Sequence, residues 1–186
     1  MEVIFKIFRR LGFYAATIIS KIRWKGLSVE GLFRKRRDTE IIITDNGVIN
    51  IGKNVLFKRN VSLATIGGTL DIGKDVFFNR NCLVMCRKEI TIGDKVLIGP
   101  GVTIYDHDHI FSNEGILEGY KEGPVIIDND CWIGANVTIL RNTHIGEGCV
   151  IGAGAVVKGD IPPHSLVKCD RTLSIVPIEE KQRQEE

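Results

Sequence analysis

A six-residue rhythm of aliphatic side chains constrains this chain more than any other feature. Ile92, Ile98 and Ile104 open successive sixes, the pattern breaks at Tyr105-Asp106-His107-Asp108-His109, and it resumes in register at Ile127, Ile133, Ile139, Ile145, Ile151 and Val157. Gly follows the opener at 93, 99, 134, 146 and 152. A short period with regular Gly is the signature of a β-solenoid, in which each coil buries its apolar side only by stacking on its neighbours. On a short strand, residues two apart share a face, so Val96/Ile98, Val137/Ile139 and Cys149/Ile151 should point inward. Gly after the opener is expected to supply the unusual dihedrals of a sharp corner. Asp75 and Asn136 tolerate similar backbone before the next strand.

Three sixes make one coil, as between Ile127 and Ile145, eighteen residues apart. Ile72, Ile92, Ile127 and Ile145 should therefore mark one corner of successive coils. The Ile72–Ile92 interval is twenty, so about two residues bulge near Cys86-Arg87-Lys88. The Ile92–Ile127 interval is thirty-five, so about seventeen residues leave the coil as a loop between about Asp108 and Pro124. That loop begins where the two clustered histidines stand.

The 186 residues suffice for one domain with a core. Net charge is +2 but unevenly spread: residues 1–37 hold ten Lys/Arg against two Glu, the remainder fifteen against twenty-one acids. Residues 1–26 read as a basic amphipathic helix, with Ile4, Phe8, Leu11, Ala15, Ile18 and Ile22 among its apolar stripe. Two placements stay open for it: against the body or a neighbouring subunit, or on an anionic membrane surface. A signal peptide fits less well, because Lys and Arg flank both sides and a cleavage site is not evident. Gly31 to Arg37 reads as a basic connector. The organisation expected is thus 1–37 helix and connector, 38–168 solenoid, and 169–186 a charged tail. No stretch reaches the ~18–20 apolar residues of a membrane span. Five cysteines without regular spacing argue against a disulfide framework. Cys82, Cys131 and Cys149 occupy the small-residue slot and read as buried hydrophobes, which fits a reducing cytoplasm. No nucleic-acid partner is expected.

Ile98-Gly99-Pro100-Gly101-Val102, Trp132-Ile133-Gly134-Ala135-Asn136 and the run from Ile151-Gly152-Ala153-Gly154 to Ile161-Pro162-Pro163 resemble the hexapeptide-repeat acyltransferases. The chain is most similar to the branch with the maltose, galactoside and polysaccharide O-acetyltransferases, over roughly residues 45–168. The resemblance implies an all-β fold, a left-handed parallel β-helix, with an extruded loop, a homotrimer and acetyl-CoA as co-substrate, without a required metal. Period alone does not settle the handedness.

Acetyl transfer from a thioester to a hydroxyl needs a base for the proton, an oxyanion donor and alignment of both substrates. His107 and His109 stand where the coil opens; His144 and His164 read as surface residues. The resemblance carries the catalytic histidine onto His109, with His107 as the fallback. Asp106 or Asp108 could orient the imidazole. Asp106 is also a candidate acceptor contact. Asn79 matches an acceptor-binding residue and Asn81 lies two residues on, though either could be a corner Asn. Arg87 stands where the family has an acidic acceptor contact, which hints at a more anionic acceptor. On the cofactor side Trp132 reads as a wall of the pantetheine channel or as a structural Trp, and the resemblance implicates the backbone N–H of Ala135, and Ala153 with Lys158. Arg171 would serve the CoA phosphates, although Cys169-Asp170-Arg171 replaces the family's usual ending.

The leading expectation is acetyl-CoA-dependent O-acetylation of a sugar hydroxyl on a polysaccharide or lipid-linked glycan precursor, in the cytoplasm or at the inner face of the membrane. N-acetylation of an amino-sugar nucleotide would use similar residues. Zinc hydration chemistry would need a third well-placed histidine. A non-catalytic scaffold is the remaining alternative.

Overall fold

A computed structural model describes residues 25–169, apart from positions 32, 37 and 114. The amphipathic stretch expected at the N-terminus lies almost wholly outside the described residues, as do Arg171 and most of the tail.

The described chain winds into a parallel β-solenoid with three faces. The first coil holds β1 (Leu27–Val29) and β2 (Glu40–Thr44), with a bridge from Arg34 to Leu56 between them. The second holds β3 (Val48–Ile51), β4 (Leu56–Phe57) and β5 (Ser62–Ile66). The third holds β6 (Thr69–Ile72), β7 (Phe77–Phe78) and β8 (Leu83–Cys86), and the fourth β9 (Glu89–Ile92), β10 (Leu97–Ile98) and β11 (Thr103–Tyr105). An antiparallel arm follows, β12 (His107–Ser112) and β13 (Gly115–Glu122). Winding resumes with β14 (Val125–Ile127), β15 (Trp132–Ile133) and β16 (Thr138–Ile145), which turns a corner and serves two faces. β17 (Val150–Ile151), β18 (Val156–Ile161) and β19 (Leu166–Val167) complete it.

The register confirms the phase read from the sequence. Ile72 pairs with Ile92, Ile92 with Ile127, and Ile127 with Ile145. Ile127, Ile133, Ile139, Ile145 and Ile151 are completely buried, as are Val96, Val137 and Cys149. Each such aliphatic side chain contributes about 1.5–3 kcal/mol by leaving water. The early coils are wider: Ile49 pairs with Leu70 twenty-one residues on, and Leu27 with Ile49 twenty-two on. Their larger interior is filled by Phe33, Phe57 and Phe78, with ring centroids 6.1 Å and 5.1 Å apart. Among the described residues, solenoid strands are therefore present from Leu27 on, within the 1–37 segment that reads as helix and connector. Phe33 is its inward residue there.

The repeat glycines act differently from expectation. The left-handed corner positions are held by Asn54, Asp75, Lys95, Asp130 and Asn136, with φ between 55° and 62°. Gly93, Gly99 and Gly134 have ordinary φ. At Gly134 an added Cβ would stand 2.6 Å from the Ile151 carbonyl oxygen, and at Gly99 2.8 Å from the Ala135 nitrogen. Gly is required there because successive coils approach too closely for any side chain, not because the dihedral is unusual.

Candidate active site

The site grows from the two extra residues of the third coil. They widen the corner after Cys86 so that three consecutive backbone N–H groups point to one spot. Arg87, Lys88 and Glu89 all donate to the Asp106 carboxylate, at 2.9 and 3.0 Å, 2.6 Å and 2.9 Å. Such a nest of N–H groups is a built anion site, and here the anion is a side chain of the next coil. Asp106 is fully buried. Expected as an acceptor contact, it has no surface to offer an acceptor. It anchors the base of the arm instead.

His107 Nδ1 lies 2.8 Å from Asp106 Oδ1, and the imidazole is only 10% exposed. The carboxylate oxygens accept from every other neighbour, so the neutral ring keeps its hydrogen on Nδ1. Its Nε2 then carries the lone pair, the form a general base needs. Cys86 Sγ is 3.4 Å from Asp106 Oδ2. Burial, then the adjacent carboxylate, push this thiol far above the ordinary thiol range. It is not a nucleophile near neutral pH.

His109 follows two residues along β12 and is exposed. Alternation on a strand puts the two imidazoles on one face of the arm. Tyr120, opposite His109 in register, joins them: its ring centroid is 4.8 Å from that of His109 and 5.3 Å from that of His107. The Arg87 guanidinium carbon sits 3.8 Å from the Tyr120 centroid. Its Nε is 3.5 Å from Glu122 Oε1. Asp108, a candidate to orient an imidazole, is held by Arg141 Nε at 2.6 Å and so ties the arm to β16. The neck is closed by the Gly123 N–H donating to the Asp106 carbonyl at 2.8 Å.

The other candidates lie elsewhere on the solenoid. Asn79 and Asn81 flank the opposite corner of the β8 face, about 13 Å of strand away. There the Asn79 side-chain oxygen accepts from the Arg80 N–H at 2.9 Å, and Asn81 accepts from Asn60 Nδ2 at 3.0 Å. Ala135 and Ala153 occupy the same corner in later coils. Trp132 points outward and is 56% exposed, within a register line of apolar residues running Leu97, Trp132, Val150 and Leu166. Lys158 is exposed after β18 turns the corner on the arm's side. One chain thus gathers the histidines but does not bring the acceptor and cofactor candidates to them. Sequence reasoning missed Tyr120 and Arg141. The pairing across the arm that exposes Tyr120 to His109 depends on a bulge between His109 and Ile110, which the repeat does not encode.

The arrangement can be set beside known proteins. Residues 124–159 match the bacterial transferase hexapeptide (six repeats) family. The curated relatives that the chain resembles include proteins named as acetyltransferases. The galactoside O-acetyltransferase of Escherichia coli is 43% identical over 76 residues, 40% of this chain and 37% of that protein. Across the curated relatives it matches, the aligned part spans 25% to 43% of their length. Among solved structures, the N-acyltransferase AntD from Bacillus cereus, in complex with dTDP and 3-hydroxybutyryl-CoA, matches with a TM-score of 0.65 and 25% identity. The match covers 83% of each chain. A hexapeptide-repeat acetyltransferase from Vibrio cholerae complexed with acetyl coenzyme A has a TM-score of 0.52 at 24% identity, over 82% of this chain and 71% of that one.

Proposed function

We propose that this chain is an acetyl-CoA-dependent O-acetyltransferase acting on a sugar hydroxyl of a polysaccharide or lipid-linked glycan precursor, built on a left-handed β-helix. The observation that carries the reading is the paired imidazoles of His107 and His109 at the neck of the arm, one of them fixed through Asp106. His109, exposed and matching the catalytic histidine of similar enzymes, takes the acceptor hydroxyl proton. His107 stands beside it with Nε2 unprotonated and is the alternative base. Acetyl-CoA, when bound, supplies a thioester whose acyl group is open to attack by the acceptor oxygen. The outward apolar line through Leu97 and Trp132 suits the pantetheine arm, and Lys158 suits the CoA phosphates. The Ala135 backbone lies at the corner expected near the thioester. The alkoxide oxygen bonds to the acyl carbon, the carbon–sulfur bond breaks, and the departing thiolate takes back the proton held by the histidine. Transfer is direct, since the thiols near the histidines are buried.

Asn79, Asn81 and Ala135 lie a strand's length from the arm of their own chain. A homotrimer, in which the arm of one copy meets that corner of the next, would unite them. A specific observation favours a second reading. AntD, similar over most of the chain, is an N-acyltransferase crystallised with dTDP, so N-acylation of an amino-sugar nucleotide is the competing activity. Supplying acetyl-CoA with matched sugars and amino sugars and following release of free CoA separates the two. Ester product on a hydroxyl supports O-transfer; amide product alone on the amino sugar overturns it.

A further inference from the structure

Arg87 stacks on the ring that both imidazoles pack against, and its surroundings are incomplete. Its backbone N–H is committed to Asp106, at 2.9 and 3.0 Å, so the residue is rooted by the carboxylate that also fixes His107. Its guanidinium carbon lies 3.8 Å from the centroid of Tyr120, the ring against which both His107 and His109 pack. Stacking uses the flat face of the guanidinium and leaves its edge of N–H donors open in the plane. Glu122 Oε1 approaches Nε at 3.5 Å, too poorly aligned for a hydrogen bond, and Nε is buried without a hydrogen-bond partner. The neighbouring carboxylates are otherwise engaged: Asp106 by the nest and His107, Asp108 by Arg141 at 2.6 Å.

An acceptor bound over the imidazoles strips water from this guanidinium. A neutral hydroxyl compensates a desolvated cation poorly, whereas a carboxylate or phosphate matches its donor edge with two parallel charge-assisted hydrogen bonds. We infer that Arg87 reads an anionic substituent, a carboxylate or a phosphate, on the acceptor sugar. The inference rests on the acetyltransferase reading for where the acceptor sits. Glu122, 37% exposed in its side chain, yields the guanidinium by turning to solvent when the anion arrives.

The test compares binding of D-glucuronate, D-glucose 6-phosphate and D-glucose to the full chain by calorimetry, in the wild type, Arg87→Gln and Arg87→Lys. At least one anionic sugar should bind wild type about tenfold or more tighter than glucose, about 1.4 kcal/mol. Arg87→Gln should remove that advantage, and Arg87→Lys should keep part of it, since a point charge lacks the fork. Preference for glucuronate identifies a carboxylate and preference for the phosphate ester identifies a phosphate. Equal binding of all three, no binding of either anion, or an advantage that survives in Arg87→Gln overturns the inference. Arg87→Gln keeps the backbone N–H that holds Asp106 and loses the stacking on Tyr120, so it should stay folded and melt within a few degrees of wild type. With a productive acceptor, the Gln variant should raise KM and leave kcat nearly unchanged. Transfer to neutral sugars alone would overturn the anion assignment and leave the acetyltransferase reading intact. Failure to bind acetyl-CoA would overturn the acetyltransferase reading, and with it the placing of the acceptor over the imidazoles.

Discussion

Asp106→Ala removes the acceptor that three backbone N–H groups share. Arg87, Lys88 and Glu89 then keep donors at a corner whose geometry is set by the stacked coils, and His107 loses its Nδ1 partner. Each buried donor left unmatched costs about 1–3 kcal/mol. The corner residues are partly accessible, and water entering the vacated space offsets some of this, so the lower end applies. The sum is about 3–5 kcal/mol. At roughly 2–4 °C per kcal/mol for a domain of this size, the melting temperature falls by about 10 °C. Asp106→Asn should lose about half as much. Its amide oxygen can still face the nest, while its NH2 faces His107 Nδ1. That reverses the tautomer, so the hydrogen moves to Nε2 and His107 becomes useless as a base. Circular-dichroism melts of both variants and nitrogen-15 spectra of the His107 ring read the two effects. An Asp106→Ala protein that melts within about 2 °C of wild type would refute the claim that this carboxylate organises the corner.

Three further outcomes follow from the packing. Gly134→Ala puts a methyl 2.6 Å from the Ile151 carbonyl oxygen, so the variant should lose several kcal/mol in urea unfolding; an unchanged midpoint contradicts close stacking as the reason for Gly. Trp132→Ala should weaken acetyl-CoA binding about tenfold with little change in melting, because the side chain points outward; normal affinity would remove Trp132 from the pantetheine wall. Burial raises the pKa of Cys82, Cys86 and Cys131 in the folded state, so the unfolded chain releases these protons first. Their contribution is intact below the ordinary thiol pKa and is lost as pH rises above about 9, at up to about 1.4 kcal/mol per pH unit for each thiol. Urea unfolding at pH 8 and pH 10 checks it, and equal stability at both sinks it.

The later coils were legible because each six dictates two inward residues, and Ile127 to Val157 keeps that count without interruption. The first coil was not, because its twenty-two-residue interval to the second dissolves the period and leaves Phe33 without a visible partner. The insertion at Cys86-Arg87-Lys88 was countable, but its purpose was not. A nest is made of backbone N–H groups, and its occupant, Asp106, comes from the next coil. The arm was legible as an excursion, expected between about Asp108 and Pro124. Its form as an antiparallel ribbon starting at His107 was hidden, since the bulge after His109 decides which side chains meet. The histidine pair was found by its place in the break. Asp106 as a partner of an imidazole was legible, whereas Asp106 as an acceptor contact was misplaced, because residue type cannot tell an inward carboxylate from an outward one.

Binding of acetyl-CoA, together with turnover of a sugar acceptor, by wild type and His109→Ala tests the account most directly. We expect both proteins to bind acetyl-CoA alike, while the variant loses at least about a hundredfold in kcat, as removal of a general base requires. A His109→Ala protein with full activity would move the chemistry to His107 or away from the arm. Absence of acetyl-CoA binding in both proteins would contradict the acetyltransferase reading itself.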